Sequence, residues 1–325
     1  MPPPAMRRQG RLTRYIARRI VQMLPTLLGV TFVVFVSVRL IPGDPAVAMA
    51  GERATPELVA QIRQELGLDR PLLLQYGHFM ARLAQGDLGR SVRTQLPIAG
   101  ELVRRLASTL LLATVSLVLA SAAGIVLGVL SATRPYSLLD SLGMGLALLG
   151  VSVPVFWLGL ILMLLFSVEL PRMVGLAGPI LPPTGAGTWK HIVMPALTLA
   201  AYSTAFITRM TRSAMLEVVS QEYIRTARAK GLAERAVTYR HALRNALIPV
   251  ITVQGLQFGS LMGGAVLTES VFAWPGLGRY LVDAIFLRDY PVVQAVVLVV
   301  AVGFLLTNLV VDLLYAAVDP RIRYA

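Results

Sequence analysis

This 325-residue sequence contains no cysteine. That absence excludes disulfides, thiolate metal sites and a cysteine nucleophile, and leaves the redox compartment undecided. Charge is scarce as well: 14% of residues are charged, where a soluble domain carries about 25%. Histidine is limited to His78, His191 and His241, at no spacing that suits a metal ion. No Gly-x-x-x-x-Gly-Lys-Ser/Thr phosphate loop occurs, so any ATP must be hydrolysed by another subunit. A membrane enzyme would need a nucleophile–base or metal constellation, and none is present. An ion-coupled secondary transporter would need paired buried carboxylates inside its spans or an inverted repeat, and neither is seen.

What is present is apolar: 56% of the residues are hydrophobic and the mean hydropathy is +0.69. The solvent for most of this surface is lipid. The formal charge is +13. A basic chain can bind nucleic acid, but here the charge follows the positive-inside rule, and no nucleic-acid partner is expected.

Six apolar stretches can each cross about 30 Å of hydrocarbon at about 1.5 Å per residue. They are Ile20–Leu40, Ser108–Ala132, Leu142–Val168, Ile192–Ile207, Ala246–Thr268 and Val292–Val318. The expected fold is therefore an all-α membrane protein of six transmembrane helices. The fourth stretch is diluted by Ala, Ser and Thr, which predicts a helix facing protein more than lipid. Placing the N-terminus in the cytoplasm puts 17 of the 30 Lys and Arg inside, with 6 of the 17 acidic residues. That distribution favours both termini in the cytoplasm. Residues 1–19 and 319–325 are then cytoplasmic tails around a transmembrane domain of residues 20–318. A rival reading takes the basic start, the apolar run and Ala48-Met-Ala50 as a cleavable signal peptide, but the run of about 21 residues is long for one.

Residues 41–107 form the longest outer segment. Pro42-Gly-Asp-Pro45 predicts a turn out of the bilayer. Thr55 as N-cap, Pro56 at the first helical position and Gly67 as the stop predict a helix over 55–66. Leu72–Leu83 makes a second, ending near Gln85-Gly-Asp-Leu-Gly89. This small helical subdomain either meets a delivery protein or shapes an entrance, or it is a cap that shields helix ends.

Glycines recur every fourth residue at Gly255, Gly259 and Gly263 in the fifth span, and at Gly124 and Gly128 in the second. Such small faces let membrane helices approach closely. For the second span ordinary packing within the chain suffices. The fifth also carries Gln254 and Gln257, so it is expected to line a central interface or pathway. Asp312 shares a helix face with Asn308 and is read as a structural ion pair with an inner-side arginine; a proton relay is the alternative. Glu269, at the outer end of the fifth span, is read as interfacial.

The inner loop, residues 208–245, holds the most specific signal. Glu222-Tyr-Ile-Arg-Thr-Ala-Arg-Ala-Lys-Gly231 is basic and helix-prone up to the glycine, and His241-Ala-Leu-Arg-Asn-Ala-Leu-Ile-Pro249 follows it. It is either an amphipathic helix resting on anionic headgroups or a short helix that docks in a cleft of a cytoplasmic partner. These two runs resemble the coupling loop of ABC importer permeases of the peptide and nickel family, which includes dipeptide, oligopeptide and glutathione systems. Leu40-Ile-Pro-Gly-Asp-Pro45, Leu66-Gly-Leu-Asp-Arg-Pro71, Gly86-Asp-Leu-Gly89, Val271-Phe-Ala-Trp-Pro-Gly-Leu-Gly278, Asn308-Leu-Val-Val-Asp312 and Asp319-Pro-Arg-Ile-Arg323 resemble it too. The B-type membrane subunit is the most similar. One departure stands out. Anchored on Gly231, the acidic position of the wider importer signature falls on Arg225, its two alanines fall on Thr226 and Ala227, and Pro249 comes five residues later than that signature expects.

The resemblance implies a type I importer permease in a prokaryotic cytoplasmic membrane. It implies a homologous second permease subunit, two ATPase subunits (or a homodimer of one kind) and an extracytoplasmic binding protein. It implies no cofactor in this chain, with ATP and Mg held by the partners. The cargo would be short peptides, or nickel or another small solute. Glu222, Arg225, Thr226, Ala227, Arg228, Lys230 and Gly231 would dock the ATPase. His241, Arg244 and Asn245 would orient the return of the loop, and Pro249 would set the start of the fifth span. Gln254, Gly255, Gln257, Gly259 and Gly263 would face the pathway or the second permease. The outer segments 41–107 and 271–290 would meet the binding protein.

Overall fold

A computed structural model describes residues 4–40, 45–50, 55–65 and 67–318. The turn expected at Pro42-Gly-Asp-Pro45 and the tail at 319–325 fall largely outside these. Fifteen α-helices and two π-helical segments are described, with no strand among the described residues. Six helical stretches are long and apolar enough to cross a membrane: Ala17–Ser37, Ile98–Thr133, Val155–Met173, Trp189–Val219, Glu234–Gly263 and Tyr290–Leu313. The chain forms two compact units, residues 1–107 with 279–303 and residues 108–278 with 304–325.

In the first unit, α1 (Pro4–Leu40) continues back into the expected tail as one helix. A short α2 (Pro45–Ala50) follows. The first outer helix forms as its signals predict: α3 spans Pro56–Glu65, the Thr55 hydroxyl accepts from the Leu58 amide at 3.2 Å, and Gly67 turns the chain at φ +64°. The second is α4 (Leu72–Ala84). It packs on α1 through aromatic rings, with Tyr76 edge-on to Phe32 and Phe35 at 5.6 and 5.2 Å. The Tyr76 hydroxyl also lies 2.8 Å from that of Thr31.

The second unit is organised around one helix. α5 (Ile98–Thr133) reaches it from the N-terminal side. The third expected span is interrupted, because α6 (Leu138–Ser152) stops before Pro154. Proline lacks an amide donor and disfavours a helical residue before it; Val153 is extended at φ −83°, ψ 126°. The helix resumes as α7 (Val155–Met163), a π turn over Leu164–Glu169 and α8 (Leu170–Met173). α9 (Trp189–Val219) is the hub and is packed by α6 and α7. Its most apolar stretch is 56% buried, against 11–33% in the other five, so it faces protein as expected.

Glycine allows α5 and α9 to touch. A Cβ at Gly124 would stand 2.7 Å from Ile207, and one at Gly128 would stand 2.5 Å from Thr211 and 2.8 Å from the Thr208 carbonyl. Helices α10 (Glu222–Ala229), α11 (Glu234–Ala236) and α12 (Leu243–Gly264) follow, with a π segment over Val237–Ala242. The chain ends in α13 (Val266–Val271), α14 (Leu277–Phe286) and α15 (Tyr290–Val318).

Two expectations change here. Gly255 and Gly259 do not face an open interface. Val311 of α15 stands against Gly255, and Phe304 lies 3.2 Å from where a Cβ of Gly259 would be. Only glycine lets α12 and α15 approach this closely, so the small face serves packing within the chain at both positions. Gly263 has nothing within 4 Å. Glu269 is not interfacial but fully buried. Its carboxylate accepts from the Thr109 hydroxyl at 2.6 Å and the Gly278 amide at 2.7 Å, and Thr109 in turn accepts from the Leu277 amide. The Val271–Gly278 motif closes around that carboxylate: a Cβ at Gly276 would run into it. The Trp274 indole donates to the Ser108 carbonyl at 3.1 Å.

Candidate functional site

The expected loop of 208–245 is mostly helix. α9 runs on to Val219, since no breaker stands before Ser220, and the return helix starts at Glu234. What projects between them is α10 with its two flanking turns.

α10 begins after Gln221, whose extended backbone lets the helix start, and Glu222 in the first turn suits the positive end of the helix dipole. It ends at Gly231, which has φ +76°. The Gly231 amide donates to the Arg228 carbonyl at 2.9 Å and the Leu232 amide to the Ala227 carbonyl at 3.4 Å. This is the bond pattern of a glycine-terminated helix, and only a left-handed residue completes it.

The helix has two faces. Ile224 and Ala227 are buried, one turn apart. They join Val129, Ala132, Ala214, Met215, Val237, Ala242 and Ala246 in one apolar cluster. That cluster ties α10 to α5, to the end of α9 and to the start of the return helix. At about 100° per residue, Glu222, Arg225, Thr226 and Ala229 fall on the opposite face, and all four are exposed. The outer stripe is thus short side chains at Thr226 and Ala229, flanked by the Glu222–Arg225 ion pair at 2.8 Å.

Polar ties fix α10 to the helix that follows. Arg228 grips Glu234 with two bonds, 3.1 and 2.7 Å. The bond to Glu234 raises the Arg228 guanidinium above its ordinary value. The Asn245 amide donates to the Tyr223 hydroxyl at 2.7 Å and to the His241 carbonyl at 3.2 Å. Exposed pairs of this kind add little stability; their consequence is orientation. His241 lies in the π segment, Arg244 is exposed, and Pro249 sits inside α12. Lys230, Arg235, Arg240 and Arg244 are all exposed, so the surface around α10 is basic.

The structure therefore brings Glu222, Arg225, Thr226, Arg228, Lys230, Gly231, His241, Arg244 and Asn245 to one end of the second unit, with Ala227 facing inward. Gln254, Gly255, Gln257 and Gly259 lie farther along α12; Gln257 is buried and Gln254 half-buried. Asp312 is half-buried on α15, one turn beyond Asn308.

Sequence reasoning passed over Tyr223, whose partner is 22 residues away, and the Asp140–Arg212 pair, 72 residues apart. Arg212 meets both Asp140 carboxylate oxygens at 2.7 and 2.8 Å, and the Tyr136 amide adds a third donor. These bonds hold the Asp140 carboxyl down to about 2. A lone acid early in α6 and two arginines, Arg209 and Arg212, late in α9 were the available signals.

Residues 124–324 match the family described as binding-protein-dependent transport system inner membrane component, and residues 12–113 match its N-terminal companion. The chain is 46% identical over 313 residues to the glutathione transport system permease protein GsiC of Salmonella typhimurium, covering 96% of this chain and 100% of that one. It is 46% identical over 330 residues to the dipeptide transport system permease protein DppB of Alkalihalophilus pseudofirmus, covering 95% and 99%. Its fold is similar to a chain of the MetNI methionine ABC transporter in an inward-facing conformation. That match has TM-score 0.55 at 22% identity and covers 67% of this chain and 96% of that one.

Proposed function

The chain belongs to the family of binding-protein-dependent transport system inner membrane components, and on that premise we propose that α10 is the coupling helix through which an ATPase subunit moves this permease. The protein is a multi-pass membrane permease subunit of an ABC importer for peptides. Glutathione-like or dipeptide cargo is the reading that the two named relatives support. The resemblance supports a prokaryotic cytoplasmic membrane, with both termini inside.

One observation carries the coupling role: α10 is anchored on one face and open on the other. Ile224 and Ala227 bind it to α5, α9 and the return helix, so it cannot shift without them. Glu222, Arg225, Thr226 and Ala229 are left for a partner. A helix held this way transmits a push as a rigid-body tilt of the helices behind it. The small side chains suit close seating in a cleft, and the basic surround suits an acidic rim. In this reading the ATPases hold ATP and Mg, and their closure drags α10 between two states of the permease. A homologous permease, paired ATPases and a binding protein complete the assembly, the last meeting the outer segments 41–107 and 271–290.

The experiment is reconstitution in proteoliposomes with ATPase subunits and binding protein, using Ala229→Glu on the open face. A bulky charge there is expected to abolish ATPase co-purification and uptake while membrane insertion persists. Uptake that persists without any ATPase subunit overturns the proposal.

A further inference from the structure

The first unit holds a half-open cavity of about 380 Å³, walled largely by the outer segment 41–107. Its walls come from the end of α1, from α4, from the loop after it and from the first turns of α15. They are mostly apolar, with Leu68, Phe79, Leu83, Leu88, Val92 and Leu298 among them. Arg39, Arg82, Arg90 and His78 also line it, against a single acid, Asp87.

That acid is already engaged. Asp87 accepts from Arg82 at 2.8 Å and from the Gly89 amide at 2.8 Å, and the Arg82 bond lowers its carboxyl below the ordinary range. His78 Nε2 accepts a hydrogen bond from Arg70 at 2.7 Å, so its ring adds no counter-acid. Arg39 is held flat, 3.4 Å above the Phe35 ring, by bonds to Gln75 at 3.0 Å and to the Phe35 carbonyl at 3.1 Å. Two of its five N–H groups are spent on these bonds, and the fork is pre-oriented. The opposite wall is fixed as firmly: buried Asp289 accepts from Ser91 at 2.5 Å and from the Val92 amide at 3.1 Å. Tyr290, also lining the cavity and buried, has a hydroxyl with no hydrogen-bond partner among the described residues. The site is preformed, cationic and short of a partner.

The position decides which anion fits. Arg39 stands two residues beyond the span Ala17–Ser37, and Tyr290 opens the span Tyr290–Leu313. The cavity therefore lies at headgroup depth, with apolar walls beside its cations. A zwitterionic peptide would leave its ammonium without an acid to meet. A phosphodiester on an acyl chain satisfies both the arginines and the walls.

We propose that this cavity binds one anionic phospholipid, with the phosphate on Arg39 and Arg90 and an acyl chain along the apolar wall. The site is independent of the transported solute and of the ATPase, so it stands or falls apart from the coupling role of α10.

The test is native mass spectrometry of the delipidated full transporter complex titrated with phosphatidylglycerol. Parallel titrations use phosphatidylcholine, inorganic phosphate and a dipeptide. Phosphatidylglycerol is expected to bind about tenfold more tightly than phosphatidylcholine. Arg39→Gln and the rim variant Arg90→Gln are each expected to weaken it about fivefold. Tyr290→Phe is expected to weaken lipid binding yet raise the thermal stability of the delipidated complex, because an unpaired buried hydroxyl is removed. Because Arg90 is exposed, its variant keeps the test valid should Arg39→Gln misfold. Equal binding of the two lipids, unchanged binding in Arg90→Gln, or displacement by free phosphate or dipeptide would each overturn the proposal.

Discussion

Replacing Gly231 separates backbone strain from contact. Nothing lies within 4 Å of where its Cβ would stand, so alanine meets no clash. The φ of +76° remains. Holding an L-residue in that region costs about 1–2 kcal/mol, and asparagine bears it best. If the chain relaxes instead, the bonds from the Gly231 and Leu232 amides are lost, each worth about 0.5–1.5 kcal/mol. Either route depopulates the docking-competent end of α10 by a factor of about 5–30. Proline cannot reach the angle and has no amide to donate, so it loses both the turn and the bond. The assay is retention of the ATPase subunits on affinity-purified permease, with binding-protein-dependent uptake in proteoliposomes as a second readout. The expected order is Gly, then Asn, then Ala, with Pro retaining no ATPase although the protein still inserts in the membrane. Equal retention in the glycine, asparagine and alanine forms, or retention in the proline form, refutes the reasoning.

Other expectations follow from the same geometry. Tyr223→Phe removes one hydrogen bond of about 0.5–1.5 kcal/mol and Asn245→Leu removes that bond and the one to the His241 carbonyl; because the bond to Tyr223 is lost in either variant, their effects on coupling should be less than additive in a double-mutant cycle. Glu269→Ala strands the Thr109 hydroxyl and the Gly278 amide in a buried site, each at about 1–3 kcal/mol, and should lower the melting temperature in detergent far more than Glu222→Ala. Gly128→Ala should destabilise by about 1–3 kcal/mol through overpacking against Thr211, whereas Gly145→Ala, with nothing within 4 Å, should be tolerated; thermal unfolding of both variants checks the contrast. The Asp140 carboxyl is depressed in the folded state, so its contribution is fully present above the unfolded value of about 4 and fades as pH falls towards about 2. Unfolding of wild-type and Asp140→Asn should therefore differ by a constant amount from pH 8 to pH 5; a difference that shrinks within that window contradicts the assignment.

Much of the fold was legible because hydropathy and helix punctuation are local. Six crossings, the Thr55 cap with its Gly67 stop, and the helix ending at Gly231 follow from residues a few positions apart. The boundaries of the inner loop were less legible. Helix propensity carries α9 past the apolar run to Val219, and hydropathy does not register that. The break at Pro154 was legible too, because a proline can kink or cap its span and this one separates α6 from α7.

Sequence by itself determined that this protein lives in lipid, carries no Gly-x-x-x-x-Gly-Lys-Ser/Thr motif and places a basic helix between its fourth and fifth spans. Tertiary structure alone decided which side of that helix is open, that Gly255 and Gly259 are filled by α15, that Glu269 is an internal anchor, and that arginines gather around a cavity between the end of α1, α4 and the start of α15. The reason is distance along the chain. Periodicity assigns two faces to every helix, but which face is covered depends on neighbours such as Val129 for Ala227, Val311 for Gly255 and Thr109 for Glu269. Those neighbours meet only once the chain has packed.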